Sequence, residues 1–257
     1  MGSKLAMPFA EEVLANFMTP TVRNVVRAEV IDPVKSADKV YGAPRIYDNL
    51  LTSQALCFNL FGELQQDLGL ASRAVGRLVG DMDLKVTGVE FEYSPGRSDP
   101  RFTNDRSAFD VFVTYLSGGG RRGFFGIEVK YAESLNDGPA RLRARYADVA
   151  RAMGCFVLDR LPQLRQRPLE QFWRNHLLAG GLLLDAASAF DEAAFVVLYP
   201  KRNSVVARAI DAYRTCLSDE ASFRSWTLEA VLVAMAEASA GAWHSEVACR
   251  YLGWPIA

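Results

Sequence analysis

The spacing of the apolar residues changes near residue 84, and this change constrains the fold more than any other feature. Before it, from Ser53 to Asp67, the apolar residues recur at helical spacing and form one stripe. After it, apolar and polar residues alternate in three segments, LKVTGVEFEY, AFDVFVTY and FFGIEVKY. Alternation with period two is typical of strands. The glycine-rich SGGGRRG joins the last two segments, so we expect an antiparallel hairpin there.

The remaining chain reads mainly as helix, with one further strand. We predict a helix over 8–18 that Pro20 limits, an irregular stretch over 30–50 and a buried strand over 192–200. Further helices are predicted over 140–153, 169–187, 203–217, 226–239 and 243–252. This order favours an α/β (α+β) fold, in which helices flank a mixed central β-sheet, over a doubly wound ladder. We expect one domain, 1–257, with a core at about 45–217 and a C-terminal helical extension over 218–257.

The composition limits the partners and the compartment. The chain has 29 basic and 30 acidic residues, so any nucleic acid must be held by a local basic surface rather than by the net charge. The four cysteines are widely spaced and there are two histidines, which argues against a zinc site or a disulfide framework. No apolar run approaches the ~18 residues that span a bilayer. We therefore expect a cytoplasmic protein without a membrane partner; a monomer and a homodimer are both compatible with the sequence.

Three charged residues lie on the two hairpin strands. Asp110 shares one face of its strand with Phe112 and Thr114, while Glu128 and Lys130 share one face of the next. The opposite faces are apolar and comprise Phe109, Val111, Val113 and Tyr115 in the first strand and Ile127, Val129 and Tyr131 in the second. Pairing these apolar faces brings the three charged residues together. One interpretation is an ordinary solvated face; the other is a covered site, where charges must be paired or bind a metal.

The arrangement of these residues resembles the signature of the PD-(D/E)XK nuclease superfamily. That signature has a strand with Asp, a short hairpin and a strand reading Glu-x-Lys; here Phe109 replaces the proline of its name. Five segments are similar to a bacterial group of restriction-endonuclease-like proteins: TSQALCFNLF (52–61), SAFD (107–110), IEVKY (127–131), QFWRNHLL (171–178) and LYP (198–200). The resemblance covers roughly residues 45–217 and implies a restriction-endonuclease-like core.

The resemblance also implies roles for individual residues. Asp110, Glu128 and the carbonyl of Val129 would bind Mg²⁺ or Mn²⁺, and hard carboxylate oxygens suit both ions. Lys130 would lie beside the attacking water. Glu63, on the first long helix, is a candidate additional ligand, and an exposed helix glutamate is the alternative. The implied reaction is hydrolysis of a phosphodiester bond.

Residues that would contact the nucleic acid are predicted in three places. The stretch 136–167 holds seven arginines against three aspartates, with Arg141 and Arg145 four positions apart on a predicted helix. Gln54 and Asn59 lie on the first long helix, and Arg106 lies in the loop before the Asp110 strand. Each of these has a plainer interpretation as a solvated surface residue.

Three functions remain open from the sequence. The first is a DNA endonuclease, acting in restriction, repair or defence. The second is a non-catalytic DNA-binding or assembly module on the same fold. The third is an unrelated metal hydrolase with a small phosphoester substrate, which would require a closed pocket rather than a basic groove.

Overall fold

A mixed five-stranded sheet forms the centre of the computed structural model, which describes residues 3–132, 135, 142–239 and 241–253. The spatial order follows the chain, β1-β2-β3-β4-β5. The strands are β1 (Lys85–Tyr93), β2 (Phe109–Leu116), β3 (Arg122–Val129), β4 (Glu192–Tyr199) and β5 (Phe223–Thr227). Strands β1, β2 and β3 are antiparallel neighbours, whereas β4 is parallel to β3 and β5 is parallel to β4. The predicted mixed sheet and the predicted hairpin of β2 and β3 are confirmed.

Helices cover both faces of this sheet. Before β1 lie α1 (Phe9–Glu12), α2 (Pro20–Val26), α3 (Arg45–Asp48), α4 (Ser53–Gln66) and α5 (Leu68–Val79). Between β3 and β4 lie α6 (Arg145–Met153), α7 (Leu161–Leu164) and α8 (Glu170–Leu184). After β4 lie α9 (Ser204–Arg214), α10 (Leu228–Ala238) and α11 (Trp243–Leu252). A π-helical turn (Arg27–Ile31) and a 3-10 turn (Leu158–Arg160) complete the regular structure of the described residues.

Two apolar clusters, one on each face, explain why the sheet is buried on both sides. On the first face α2, α4, α5, α10 and α11 pack on residues such as Val111 and Ile127. On the second face α6, α7, α8 and α9 pack on residues such as Phe112 and Phe124. Alternate side chains of β2 therefore enter different clusters, as the pleat requires. Because both faces are covered, the interpretation of the charged residues as a solvated sheet face is wrong.

Some predicted elements differ from those observed. The segment 8–18 is helical only at its start. Pro20 was expected to limit that helix, but it begins α2. Proline is tolerated at the first helical position because its missing N–H would have no partner within the helix. Helix α5 and strand β5 were not among the predicted elements. The helix predicted over 140–153 starts at Arg145 in the part that is described.

The C-terminal region belongs to the core of the fold. Strand β5 pairs with β4, and α10 packs against α5 on the first face of the sheet. The prediction of a purely helical extension over 218–257 therefore missed a strand, which is only five residues long and directly precedes α10. None of the helices in the described part of the chain has both the length and the apolarity to cross a membrane.

Candidate active site

Polar side chains from three neighbouring strands meet at one edge of the sheet. The paired part of β2 and β3 ends at Val111 and Ile127, so the next residues, Asp110 and Glu128, face each other at the strand ends. Lys130 lies two residues after Glu128. Its backbone amide donates to the carbonyl of Leu198, at 2.8 Å, and this bond extends the pairing of β3 with β4. The hairpin therefore brings together the three charged residues singled out from the sequence.

Asp110 is held by the backbone of the neighbouring strand. The amide of Val129 donates to its Oδ2 at 2.7 Å. Burial, and next the negative charge of Glu128, raise the pKa of the Asp110 carboxyl well above its ordinary value, while Lys130 and the Val129 amide oppose the shift. The site is thus short of positive charge when both carboxyls are ionised.

Glu128 has donors on both of its carboxylate oxygens. The Lys130 ammonium lies 2.7 Å from Oε1, and both side chains are only 6% exposed. Gln171 Nε2 also donates to Oε1 at 2.6 Å, and Asn175 Nδ2 donates to Oε2 at 2.6 Å. Gln171 and Asn175 were not singled out from the sequence. Two amides four residues apart in α8 were the available signal, because they share one helix face.

Glu92 is a third carboxylate beside the pair, and it was also missed. The pairs Phe91 with Val111 and Tyr93 with Phe109 place Glu92 across from Asp110 on β1. Burial raises the pKa of Glu92, and the Glu92 charge in turn contributes to the raised pKa of Asp110. Arg97 pairs with Glu92 at 2.9 Å. The backbone at Glu92 is left-handed, with φ of 50°, a conformation that residues other than glycine seldom adopt.

Phe109 departs from the predicted pattern of faces. It was expected beside Val111, but its ring packs with those of Phe112 and Phe124 on the second face. The ring lies over Gly126, where an added Cβ would come within 2.4 Å of Phe109 Cε1. At this end the pairing of β2 with β3 has stopped and Asp110 bonds to the β3 backbone, although Phe109 is still paired with Tyr93 of β1. Glycine at position 126 makes room for this ring.

The donor set of this edge fits a divalent metal ion. Asp110 and Glu128 offer hard oxygen atoms, and the single ammonium of Lys130 does not balance both carboxylates when they are ionised, so a cation would offset the remaining negative charge. Across the described ranges, no three His, Cys, Asp or Glu side chains form a group arranged to bind a metal. Two protein carboxylates with the remaining positions left to water and phosphate suit Mg²⁺, which retains several waters in proteins.

Glu63 is not brought to this site. It lies on α4, which packs on the first face of the sheet, and its Oε1 accepts a hydrogen bond from Thr19 Oγ1 at 2.5 Å. The charges that most shift the pKa of Asp110 are those of Glu128, Lys130 and Glu92. We therefore do not retain Glu63 as a metal ligand.

Asn59 was predicted to contact nucleic acid, and this prediction is wrong. The side chain is 1% exposed and lies inside the molecule. It accepts from the amide of Met18 at 2.8 Å and donates to the carbonyl of Asn16 at 3.0 Å and to the Tyr251 hydroxyl at 2.8 Å. These bonds tie α4 to both ends of the chain and leave no surface for a phosphate.

Gln54 and Arg145 are half-buried and also make internal bonds. Gln54 accepts from the amide of Gly42 and donates to the carbonyl of Val40, so it holds that loop on α4. Arg145 donates to the carbonyls of Phe102, at 3.2 Å, and Arg101, at 2.9 Å. Both side chains therefore fasten loops near the site, and neither points freely into solvent.

Arg106 is exposed, as a phosphate contact requires. It lines an open cleft of about 510 Å³ between residues 37–39 and the loop after β1, and Glu92 lines the same cleft. The cleft therefore reaches the neighbour of Asp110. Arg141, the other predicted arginine, lies outside the described residues.

The raised pKa of Asp110 has a measurable consequence for stability without metal. An acid with a raised pKa keeps its proton in the folded state at pH values where the unfolded chain has lost it, so the folded protein loses stability as pH rises from about 4 toward the folded pKa. Asp110→Asn removes this titration and keeps an oxygen for the Val129 amide, so we expect the loss to shrink to what Glu92, whose pKa is also raised, contributes. The free energy of unfolding, measured by urea titration between pH 4 and 8 with a metal chelator present, tests this.

The matched control is Asp83→Asn, which changes an exposed aspartate before β1. This variant should retain the pH dependence of the wild type. Identical pH profiles for Asp110→Asn and the wild type would contradict the account of this carboxyl.

Comparison with known proteins agrees with this geometry. The family model described as the PD-(D/E)XK nuclease superfamily matches residues 1–253. The searches of curated proteins and of solved structures return no match. The match extends over nearly the whole chain, beyond the 45–217 region where the sequence resemblance was noted. This chain belongs to the PD-(D/E)XK nuclease superfamily.

Proposed function

We propose that this protein is a metal-dependent nuclease that hydrolyses phosphodiester bonds, and specifically a DNA endonuclease. The observation that carries the proposal is the contact of the Lys130 ammonium with the Glu128 carboxylate, at 2.7 Å, beside Asp110 at the end of the hairpin. These are the residue types of the superfamily's signature in a chain that belongs to it. DNA as the substrate and Mg²⁺ or Mn²⁺ as the ion are parts of the proposal.

Asp110 and Glu128 would hold the ion, with the carbonyl of Val129 as a further ligand. When bound, the ion supplies Lewis-acid activation of a water molecule and of the phosphate. The Val129 amide orients the Asp110 carboxylate. Lys130 is buried beside Glu128, with its ammonium 2.7 Å from that carboxylate. An ammonium in a covered site stabilises the negative charge that develops on phosphate far more than it would in water.

The nucleic acid would be held by local cations, because the net charge of the chain is −1. Arg106 is the best placed of the predicted contacts, since it is exposed and lines the cleft that Glu92 also borders. Arg145 would act indirectly by fastening the loop that leads to β2. Contacts of this kind bind the backbone without reading the sequence.

The first test separates metal binding from hydrolysis. Lys130→Met replaces the ammonium by an apolar chain of similar length and leaves both carboxylates, so metal should still bind while cleavage falls by about 10²–10³ or more. Asp110→Ala and Glu128→Ala each remove a ligand, so metal affinity and cleavage should fall together. The measurement is calorimetry with Mn²⁺ and cleavage of plasmid DNA with Mg²⁺ or Mn²⁺.

Lys201→Met is the control, because Lys201 is an exposed lysine near β4. It should cut like the wild type. A Lys130→Met protein that also cuts at the wild-type rate would contradict the assigned role. A wild type that binds DNA without cutting any nucleic acid would instead indicate a non-catalytic binding module.

The second test concerns the contact of Arg106 with the phosphate backbone of the nucleic acid. Arg106→Ala should weaken binding to all duplex sequences and reduce the slope of log affinity against log salt by about 0.9 for one lost phosphate contact. Binding is measured in Ca²⁺ across a series of salt concentrations. The control is Arg121→Ala, which changes an exposed arginine just before β3 and so at the opposite end of the sheet. If both variants have the wild-type slope, Arg106 does not contact phosphate.

A further inference from the structure

Helix α8 places two neutral amides on the Glu128 carboxylate. Gln171 Nε2 lies 2.6 Å from Oε1, and Asn175 Nδ2 lies 2.6 Å from Oε2. The positions are four residues apart, so one helix face presents both donors to one carboxylate. Asn175 is 5% exposed, and Gln171 is half-buried. Together they engage the two oxygens from the same side of the sheet.

We propose that Gln171 and Asn175 are positioning residues that set the metal affinity of the site by holding Glu128 in one orientation. The proposal rests on the proposed function, in which Glu128 is a metal ligand. It adds two residues on a different element from the Asp and Glu-x-Lys strands. Their partner is the carboxylate, and they need no contact with the nucleic acid.

The number of acceptor sites on Glu128 explains how this would work. An ionised carboxylate has about four lone-pair sites. Lys130 and Gln171 occupy two at Oε1, and Asn175 occupies one at Oε2. About one site remains, on the oxygen that Asn175 holds, so Glu128 is suited to bind an ion through a single oxygen. Because the amides are neutral, they fix the carboxylate without the repulsion that further cations would exert on the metal.

The same helix is anchored to the loop that leads into β2. Arg174, three residues after Gln171, donates from Nε to Asp105 Oδ2 at 3.1 Å and from Nη2 to Ser107 Oγ at 3.0 Å. Asp105 is buried, and the Tyr146 hydroxyl of α6 donates to it at 2.5 Å. This loop runs directly into Asp110. Helix α8 therefore supports both proposed ligands, Glu128 by direct contact and Asp110 through its loop.

The test compares Asn175→Leu and Gln171→Leu with the wild type. Each replaces an amide by an apolar side chain of similar size and leaves Asp110, Glu128 and Lys130 in place. We expect the affinity for Mn²⁺ and Ca²⁺, measured by calorimetry without nucleic acid, to fall by about 10–100-fold, as for other residues that orient metal ligands. Cleavage should be restored substantially by raising the metal concentration. The stabilisation that metal gives against thermal unfolding should shrink in parallel.

Asn59→Leu is the matched control, because Asn59 is an equally buried asparagine with three internal hydrogen bonds but none to Glu128. It should lower the melting temperature and keep the metal affinity of the wild type. If Asn175→Leu does not fold, Gln171→Leu decides, since that side chain is half-buried near the start of α8.

Wild-type metal affinity in the folded Gln171→Leu and Asn175→Leu proteins would overturn the inference and leave the proposed nuclease intact, provided that the wild type cuts. An equal loss of metal affinity in Asn59→Leu would also overturn it, because the effect would then follow from destabilisation. A wild type that neither binds metal nor cuts nucleic acid would overturn the proposed function together with the inference.

Discussion

The buried carboxylate of Glu128 imposes the main requirement on this structure. A charge removed from water is costly unless it is paired and hydrogen-bonded, and pairing alone seldom compensates for the lost hydration. Lys130 provides the opposite charge, and Gln171 and Asn175 complete the hydrogen bonding. This arrangement requires that α8 cover the second face of the sheet just where β3 ends. Helix α8 is held there by its packing in the second apolar cluster, and from that position it also satisfies the buried carboxylate.

Asp110 adds a second constraint, because its charge is opposed by its neighbour. Its Oδ2 accepts a hydrogen bond from the Val129 amide, which fixes the carboxylate at the strand end. Burial, and next the charge of Glu128, raise its pKa, and Lys130 supplies one positive charge beside two carboxyls. A site with too little positive charge is poor for folding and suitable for a metal ion. Functional sites often lower the stability of the folded protein in this way.

Local patterns in the sequence were sufficient for the hairpin and its charged residues. The period-two spacing predicted β1, β2 and β3, and the parity of Asp110, Glu128 and Lys130 predicted that they meet on one face of the hairpin. Those features depend on neighbours along the chain. The apolar stripe of α4 was predicted on the same grounds; Leu56, Leu60 and Leu64 are buried as expected, whereas Leu68 is exposed and begins α5.

Contacts between distant segments could not be predicted in this way. Asn59 reads as a helix amide in the sequence, yet it joins α4 to residues 16, 18 and 251. Gln171 and Asn175 are 43 and 47 residues from Glu128, and only the packing of α8 on the sheet brings them to it. Glu92 required the register of β1 on β2, and β5 is too short to give a clear periodic signal. Tertiary packing decided each of these cases.

The central claim is that Asp110 and Glu128 jointly hold one ion beside Lys130. Anomalous diffraction from crystals grown with Mn²⁺ tests it most directly, because the metal is located without reference to activity. The account predicts one strong manganese peak in contact with carboxylate oxygens of both Asp110 and Glu128, with the Lys130 ammonium close by. A manganese peak bound elsewhere, or one that contacts neither carboxylate, would contradict it.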